Sequence, residues 1–153
     1  MPDIRKIEDA WEKRRIARLV LEALPDWFGV EASRERYIAD SATQPCFAAF
    51  EDGAPIGFLC LKPTGDATVE LAVMGVMASR HRRGVGRRLF EAARADAKEA
   101  GFAFMQVKTV KMGAYEDYDR TNLFYKSLGF REFEVFPLLW DEANPCQIYV
   151  MAL

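Results

Sequence analysis

Residues 69–101, VELAVMGVMASRHRRGVGRRLFEAARADAKEAG, join an apolar run, a glycine-bearing turn and a helical pattern. The run 69–76 is long enough and apolar enough to form a buried strand. Beyond Gly84-Val85-Gly86, apolar residues recur at three- and four-residue steps, which predicts a helix over 85–100 that Gly101 ends. The first turn of a helix has unpaired N–H groups and a partial positive charge, so this pattern predicts an anion site.

The residues of the turn indicate which kind of anion would bind there. Glycines let a ligand approach the backbone where a Cβ would block it. The turn lacks the third glycine of a dinucleotide fingerprint, because Leu89 holds that position, and it lacks the Gly-Lys-Ser/Thr of a nucleotide P-loop. We therefore interpret it as a pyrophosphate cradle; the alternative is a surface turn with solvated arginines. The arginines around it are Arg80, Arg82, Arg83, Arg87 and Arg88.

The segment His81-Arg82-Arg83-Gly84-Val85-Gly86 resembles the Arg/Gln-x-x-Gly-x-Gly/Ala signature of the GNAT superfamily of N-acetyltransferases. The resemblance implies that this loop cradles the pyrophosphate of acetyl-coenzyme A (acetyl-CoA). The match departs at His81, which stands where the family usually has Arg or Gln.

Length and composition favour one globular domain over residues 1–153, because half of the residues are hydrophobic. No run approaches the roughly 20 apolar residues of a membrane span, and the N-terminus lacks the apolar segment of a signal peptide. Three dispersed cysteines and one histidine predict reduced thiols in a cytoplasm and no metal site. A net charge of −2 argues against nucleic-acid binding.

The apolar patterns predict an α/β (α+β) fold with a mixed, mostly antiparallel sheet of six to seven strands and about four helices. Strand 102–110 follows the central strand 67–76 through a helix, so these two strands should be parallel. The resemblance implies that this pair splays apart to form a slot for pantetheine. We predict strands at 4–7, 45–51, 54–62, 130–136 and 147–152, helices at 9–24, 33–39 and 120–128, and connections at 26–29, 111–119 and 137–145.

A second stretch, Tyr118-x-x-Thr121-x-x-x-Tyr125-x-x-x-Gly129-Phe130, resembles the family's Asn-x-x-Ala-x-x-Phe-Tyr-x-x-x-Gly-Phe signature. Tyr118 departs from the family's Asn. The two signatures and the order of elements extend the resemblance over nearly the whole chain. The cofactor-binding residues that we predict are Met74, Gly75, Val76, Arg82, Arg83, Gly84, Val85, Gly86, Arg87 and Tyr118.

Acetyl transfer from a thioester to an amine needs a donor for the carbonyl oxygen and benefits from a proton for the departing thiolate. We predict Tyr125 as the proton donor; the alternative is a wall tyrosine. We predict the Val76 N–H as the oxyanion donor, with a β-bulge that Gly75 would allow.

Glu70 is the candidate base. Two-residue alternation puts it on the face of Ala72, Met74 and Val76, where an apolar setting would make its carboxyl more basic. The alternatives are a structural glutamate or one that faces solvent. Glu116, Asp117 and Asp119 form an acidic stretch that is either a solvated loop or attracts a cationic substrate.

We therefore predict an acetyl-CoA-dependent N-acetyltransferase that acts on a primary amine of a small molecule. A protein N-terminus or lysine is an alternative acceptor, and a non-catalytic acyl-CoA-binding module is an alternative function. Trp27, Phe28 and Tyr37 either plug the core or line the acceptor pocket. The sequence leaves the assembly open, with a homodimer among the candidates.

Overall fold

A computed structural model describes all residues, 1–153. A seven-stranded sheet is covered on one face by the N-terminal helices and on the other face by the two later helices. The strands are β1 (Asp3–Ile7), β2 (Cys46–Glu51), β3 (Ala54–Pro63), β4 (Thr68–Val76), β5 (Phe104–Val110), β6 (Arg131–Asp141) and β7 (Asn144–Ala152). The helices are α1 (Ala10–Glu22), α2 (Pro25–Phe28), α3 (Glu31–Ser41), α4 (Val85–Glu99) and α5 (Glu116–Ser127). None of the helices is long and apolar enough to cross a membrane.

The strand order is β1-β2-β3-β4-β5-β7-β6, and every neighbouring pair is antiparallel except β4 and β5. The prediction of a mixed, mostly antiparallel sheet with one parallel pair is confirmed. The parallel pairing runs from Thr68↔Phe104 to Glu70↔Gln106 and ends there, although both strands continue. A gap therefore opens between the later halves of β4 and β5.

Two apolar clusters fix the helices on the two faces. The larger cluster packs α4 and α5 on the sheet and includes Leu71, Leu89 and Tyr125. The smaller cluster packs α1 and α3 on the opposite face and includes Ile16, Phe58 and Val73. Ligands that approach from opposite faces can therefore meet only through the gap between β4 and β5.

A β-bulge in β4 changes which residues face which layer. Cys60 of β3 pairs with Val73 and Leu61 pairs with Leu71, so Ala72 is left without a partner. Leu71 lies in the α4 layer and Val73 in the α1 layer, while Met74 packs again on the α4 side. The prediction that Gly75 allows the bulge is wrong, because Ala72 is the inserted residue.

Several predicted connections are regular structure. Residues 26–29 lie largely in α2, and α5 begins at Glu116 because three acidic side chains in its first turn favour a helix N-terminus. The predicted connection 137–145 is wrong, since most of it extends β6 into a hairpin with β7. Pro137 is accommodated because β6 is an edge strand.

Candidate active site

The N-terminus of α4 presents unpaired backbone donors. The first backbone hydrogen bond of the helix runs from Arg88 N to Gly84 O at 3.1 Å, and no side chain caps the helix. The N–H groups of Val85, Gly86 and Arg87 therefore lack acceptors within the helix. Together with the helix dipole, these donors make a site that suits phosphate oxygens.

The two glycines of this turn have different roles. Gly84 has a left-handed φ of +77°, and a Cβ added there would meet no atom within 4 Å. A Cβ on Gly86 would lie 2.9 Å from Met74 Cε and 3.0 Å from Phe124 Cζ. Gly84 thus leaves open space for a ligand, whereas Gly86 allows α4 to pack closely on its neighbours.

The five arginines near the turn are unequally available. Arg80 forms an ion pair with Glu51 at 2.6 Å, Arg88 donates to the Pro2 carbonyl, and Arg87 donates to the Ser127 carbonyl at 3.0 Å. Arg82 lines the cleft described next and pairs with no carboxylate, so it is the arginine most available to an anion there.

An open cleft of about 1540 Å³ extends from the α4 N-terminus through the gap between β4 and β5 to the α1–α3 layer. All predicted cofactor-binding residues except Arg83 line this cleft, as does Tyr125. Glu70 does not line it. The cleft is thus continuous between the anion site on one face of the sheet and the aromatic side chains on the other.

The Val76 amide faces the gap. Met77 N donates to Ile56 O at 2.8 Å, so residues 77 and 56 form a hydrogen-bonded antiparallel pair. Bonded and non-bonded pairs alternate, and Val76 is opposite Gly57 in the next, non-bonded pair. Its N–H and C=O therefore point away from β3, toward the side where β5 has diverged.

His81 closes the turn onto the end of β4. Its Nε2 lies 2.7 Å from the Val76 carbonyl oxygen. A carbonyl can only accept, so the Nε2 atom carries the proton. His81 thereby satisfies one backbone group at the gap and leaves the Val76 N–H free.

Gly75 is required for packing. Its Cβ would lie 3.0 Å from both Val20 Cγ1 and Leu24 Cδ1. A glycine here lets the N-terminal helical layer approach β4 closely, which brings that layer to the rim of the gap.

Tyr125 is buried among aromatic rings and borders the cleft. Its ring centroid lies 5.8 Å from that of Phe124, 5.9 Å from that of Phe130 and 6.2 Å from that of Tyr149. Burial raises the pKa of the Tyr125 phenol above its ordinary value of about 10. The phenol therefore carries its proton at neutral pH.

Glu70 lies in a charged setting, so the expected apolar setting is wrong. Its Oε1 pairs with Lys108 Nζ of β5 at 2.9 Å, at the point where the two strands separate. The Ala72 bulge also puts Glu70 on the α1–α3 face, opposite Met74 and Val76. The predicted shared face is therefore wrong as well, because the inserted residue breaks two-residue alternation.

The acidic side chains at the start of α5 are engaged within the protein. Arg120 pairs with both Glu116 and Asp117. Asp119 Oδ1 accepts from the Gly113 amide at 2.8 Å. These contacts order the first turn of α5, and they remove the observation that favoured a cationic substrate.

The sequence did not reveal the role of Asn122. This fully buried side chain donates to the carbonyls of Val110 at 2.8 Å and Tyr118 at 2.6 Å, and its Oδ1 accepts from the Tyr149 hydroxyl at 2.7 Å. It joins the end of β5 to α5 and to β7. The Tyr118 hydroxyl extends this network across the cleft by donating to the Trp27 carbonyl at 3.2 Å.

Comparisons with known proteins agree with this geometry. The model of the acetyltransferase (GNAT) family matches residues 9–130. No curated protein sequence matches the chain. A GNAT-family protein from Desulfovibrio desulfuricans superposes with a TM-score of 0.83 at 19% identity, over 99% of each chain.

Two further solved structures share the fold. An aminoglycoside 6′-N-acetyltransferase complexed with coenzyme A has a TM-score of 0.76 at 16% identity, over 98% of this chain and 96% of its own. The ribosomal-protein-S18-alanine N-acetyltransferase from Escherichia coli has a TM-score of 0.76 at 17% identity, over 99% and 94%. The acceptors named for these two proteins differ in class, so the shared fold does not select an acceptor.

Proposed function

This chain belongs to the acetyltransferase (GNAT) family, and we propose that it transfers an acetyl group directly from acetyl-CoA to a primary amine of a small molecule. We treat residues 1–153 as one acetyltransferase domain. The observation that carries the proposal is the uncapped N-terminus of α4, which opens into the same cleft that crosses the sheet between β4 and β5.

The residues fit acetyl-CoA at the α4 end of the cleft and along the gap between β4 and β5. We assign the pyrophosphate to the N–H groups of Val85, Gly86 and Arg87, with charge supplied by Arg82. The open space at Gly84 suits close approach of phosphate to backbone. The gap beside β4 offers an unpaired strand edge, which suits an amide-containing arm such as pantetheine.

We assign two groups of the chain to the transfer. Acetyl-CoA, when bound, supplies an acetyl thioester that an amine can attack. The Val76 N–H is our donor to the thioester carbonyl oxygen, where negative charge develops. Tyr125 is our proton donor to the departing thiolate, because its buried phenol stays protonated at neutral pH.

Two routes can supply the acceptor as a neutral amine. Glu70 is a candidate only through water, since Lys108 engages its carboxylate and it does not line the cleft. An acceptor that arrives as the neutral amine would need no protein base. The pH dependence of the Glu70→Gln variant distinguishes these two routes.

Aromatic walls on the α1–α3 side of the cleft support a small-molecule acceptor. Trp27, Phe28 and Tyr37 line it from the N-terminal layer, and Trp140 lines it from the β6–β7 hairpin. Side chains from three separate elements, α2, α3 and β6, border the cleft there, as they do in pockets for small molecules. A protein N-terminus or lysine remains the alternative acceptor.

The test measures thiol release when the protein is mixed with acetyl-CoA and a panel of amines. We expect release that depends on the amine and falls in Tyr125→Phe, while coenzyme A affinity stays near that of the wild type. Coenzyme A binding without turnover on any amine, unchanged in Tyr125→Phe, would instead favour a non-catalytic acyl-CoA-binding module.

We also propose a cytoplasmic protein that forms a homodimer. The free cysteines Cys46, Cys60 and Cys146 support a reducing compartment. The exposed apolar side chains of edge strand β6, among them Phe133 and Leu138, support pairing with a second copy. Light scattering of the wild type, compared with a Leu138→Lys variant, tests the dimer.

A further inference from the structure

The acceptor side of the cleft is lined by positive charge. Arg34 and Arg36 of α3 line it, and neither forms an ion pair. The two carboxylates in the lining are already engaged, since Asp117 pairs with Arg120 and Asp141 accepts from the Asn144 side-chain amide at 2.7 Å. A ligand that enters from this side therefore meets two arginines that no carboxylate pairs with, against Asp141 as the one lining carboxylate without a cationic partner.

Arg34 presents an unused hydrogen-bonding edge. Only Nη1 of its guanidinium donates within the protein, to the Phe28 carbonyl at 3.2 Å. Its Nε is buried without an acceptor, and it is the only buried side-chain nitrogen or oxygen of the chain in that condition. An unsatisfied buried donor is costly, and in a native structure it calls for an explanation such as a missing ligand.

The shape of that edge selects the kind of ligand. The Nε and Nη2 donors of a guanidinium are parallel and match the two oxygens of a carboxylate. Phe28, whose carbonyl fixes Nη1, also lines the cleft, and its ring packs edge-on against Tyr37 with centroids 6.0 Å apart. The carboxylate-binding edge therefore lies beside an aromatic wall.

On the basis of the acetyl transfer proposed above, we infer that the acceptor is an amine that also carries a carboxylate and an aromatic or bulky apolar group. The carboxylate pairs with the guanidinium of Arg34: it meets Nη2 from the cleft, and it reaches Nε once the guanidinium turns outward, because the protein covers Nε here. The apolar group packs on the wall formed by Trp27, Phe28 and Tyr37. The substrate class is thus an amino acid or a similar amino carboxylate, whose carboxylate offsets the arginine charge around the amine.

The experiment compares two acceptors that differ only in the carboxylate, L-phenylalanine and 2-phenylethylamine, in the thiol-release assay. We expect kcat/KM to be at least about tenfold higher for L-phenylalanine, the size expected for hydrogen bonds to a charged group. Arg34→Met should reduce this ratio at least about tenfold, and Arg34→Lys should restore only part of it. Coenzyme A binding reports whether each variant is folded.

Arg14→Met is the matched control. Arg14 is an exposed residue of α1 in the same layer, lies outside the cleft lining and forms no ion pair, so its replacement removes equal charge without touching the site. We expect this variant to keep the wild-type ratio. A wild-type ratio near one, or a ratio that survives Arg34→Met, would overturn the inference.

A binding measurement separates this inference from the proposed function. With coenzyme A present, N-acetyl-L-phenylalanine should bind the wild type at least about tenfold more tightly than N-acetyl-2-phenylethylamine, and Arg34→Met should remove the difference. If no amine is acetylated, the proposed acetyl transfer is refuted, yet this titration still tests whether Arg34 binds a carboxylate. Equal affinities for the two amides would overturn the site even if acetylation occurs.

Discussion

Replacing Gly84 by aspartate should severely weaken coenzyme A binding, whereas asparagine at the same position should weaken it only modestly. Gly84 adopts a left-handed φ of +77°, which Asn and Asp tolerate better than other side chains, and an added Cβ meets no atom within 4 Å. Both variants should therefore fold, with a similar backbone cost on the order of 1 kcal/mol. The two variants differ only in that Asp carries a charged carboxylate where Asn carries a neutral amide of the same shape.

The magnitude follows from charge repulsion at the uncapped α4 N-terminus. Two unit charges about 4 Å apart repel by roughly 1 kcal/mol in water and roughly 4 kcal/mol near a protein surface. A pyrophosphate carries more than one charge, so the upper part of this range applies, which corresponds to a loss of roughly 100-fold to 1000-fold relative to Asn. An aspartate that caps the free amides would add to the loss by occupying the donors.

Calorimetric titration of both variants with coenzyme A at one salt concentration measures the difference, and thermal unfolding checks that both are folded. The difference should shrink at high salt, because exposed charges are screened. Equal affinities for Asp and Asn would show that no diphosphate lies at this turn. Gly86→Asp is a less clean test, since its side chain would first collide with Met74 and Phe124.

Tyr125→Phe should lower kcat in the thiol-release assay; an unchanged kcat would exclude Tyr125 as the proton donor. Because burial raises the pKa of Tyr125 in the folded state, the free energy of unfolding of the wild type should fall above about pH 10, by about 1.4 kcal/mol per pH unit. Denaturant titrations at several pH values should show a smaller fall with pH in Tyr125→Phe. Glu70→Gln should shift the pH–rate profile to higher pH if Glu70 is the base, and an unaltered profile would remove it from the mechanism. A double-mutant cycle of Glu70→Gln with Lys108→Met should give a stability coupling of about 0.2–1 kcal/mol, as for a partly exposed pair; zero coupling would mean that the pair does not hold β4 to β5. Gly75→Val should destabilise the fold by about 1–3 kcal/mol through overpacking against Val20, and an unchanged melting temperature would contradict that packing.

The order of elements was predictable because apolar periodicity and turn residues agree along most of the chain. The parallel pair followed from the helix that connects β4 to β5, and the sheet confirms it. The full length of the β6–β7 hairpin is not predictable from the sequence, because Pro137 and Pro145 are typical of irregular structure. Their effect depends on edge position, which is a tertiary property that the local sequence does not contain.

The candidate site was predictable only where a local motif determines geometry. The free amides of α4 follow from a glycine before a helix, and the helix has no side-chain cap. The setting of Glu70 could not be inferred, because the Ala72 bulge and the Lys108 partner arise from strand pairing. Arg34 carries no motif; its unpaired Nε becomes visible only when burial and hydrogen bonds are known.

The single unpaired residue in β4 makes the strand tolerate a lost residue better than a gained one. Because Ala72 is inserted, Leu71 and Val73 face opposite layers although they are two positions apart. Deleting one residue here would remove the bulge, and residues 73–76 would keep their directions and their partners in β3. Inserting one residue would instead need a second bulge, or it would exchange the directions of the residues that follow and turn the amide edge along the gap away from the cofactor side. This strand should therefore accept substitutions at Ala72, and a single deletion there, far better than an insertion.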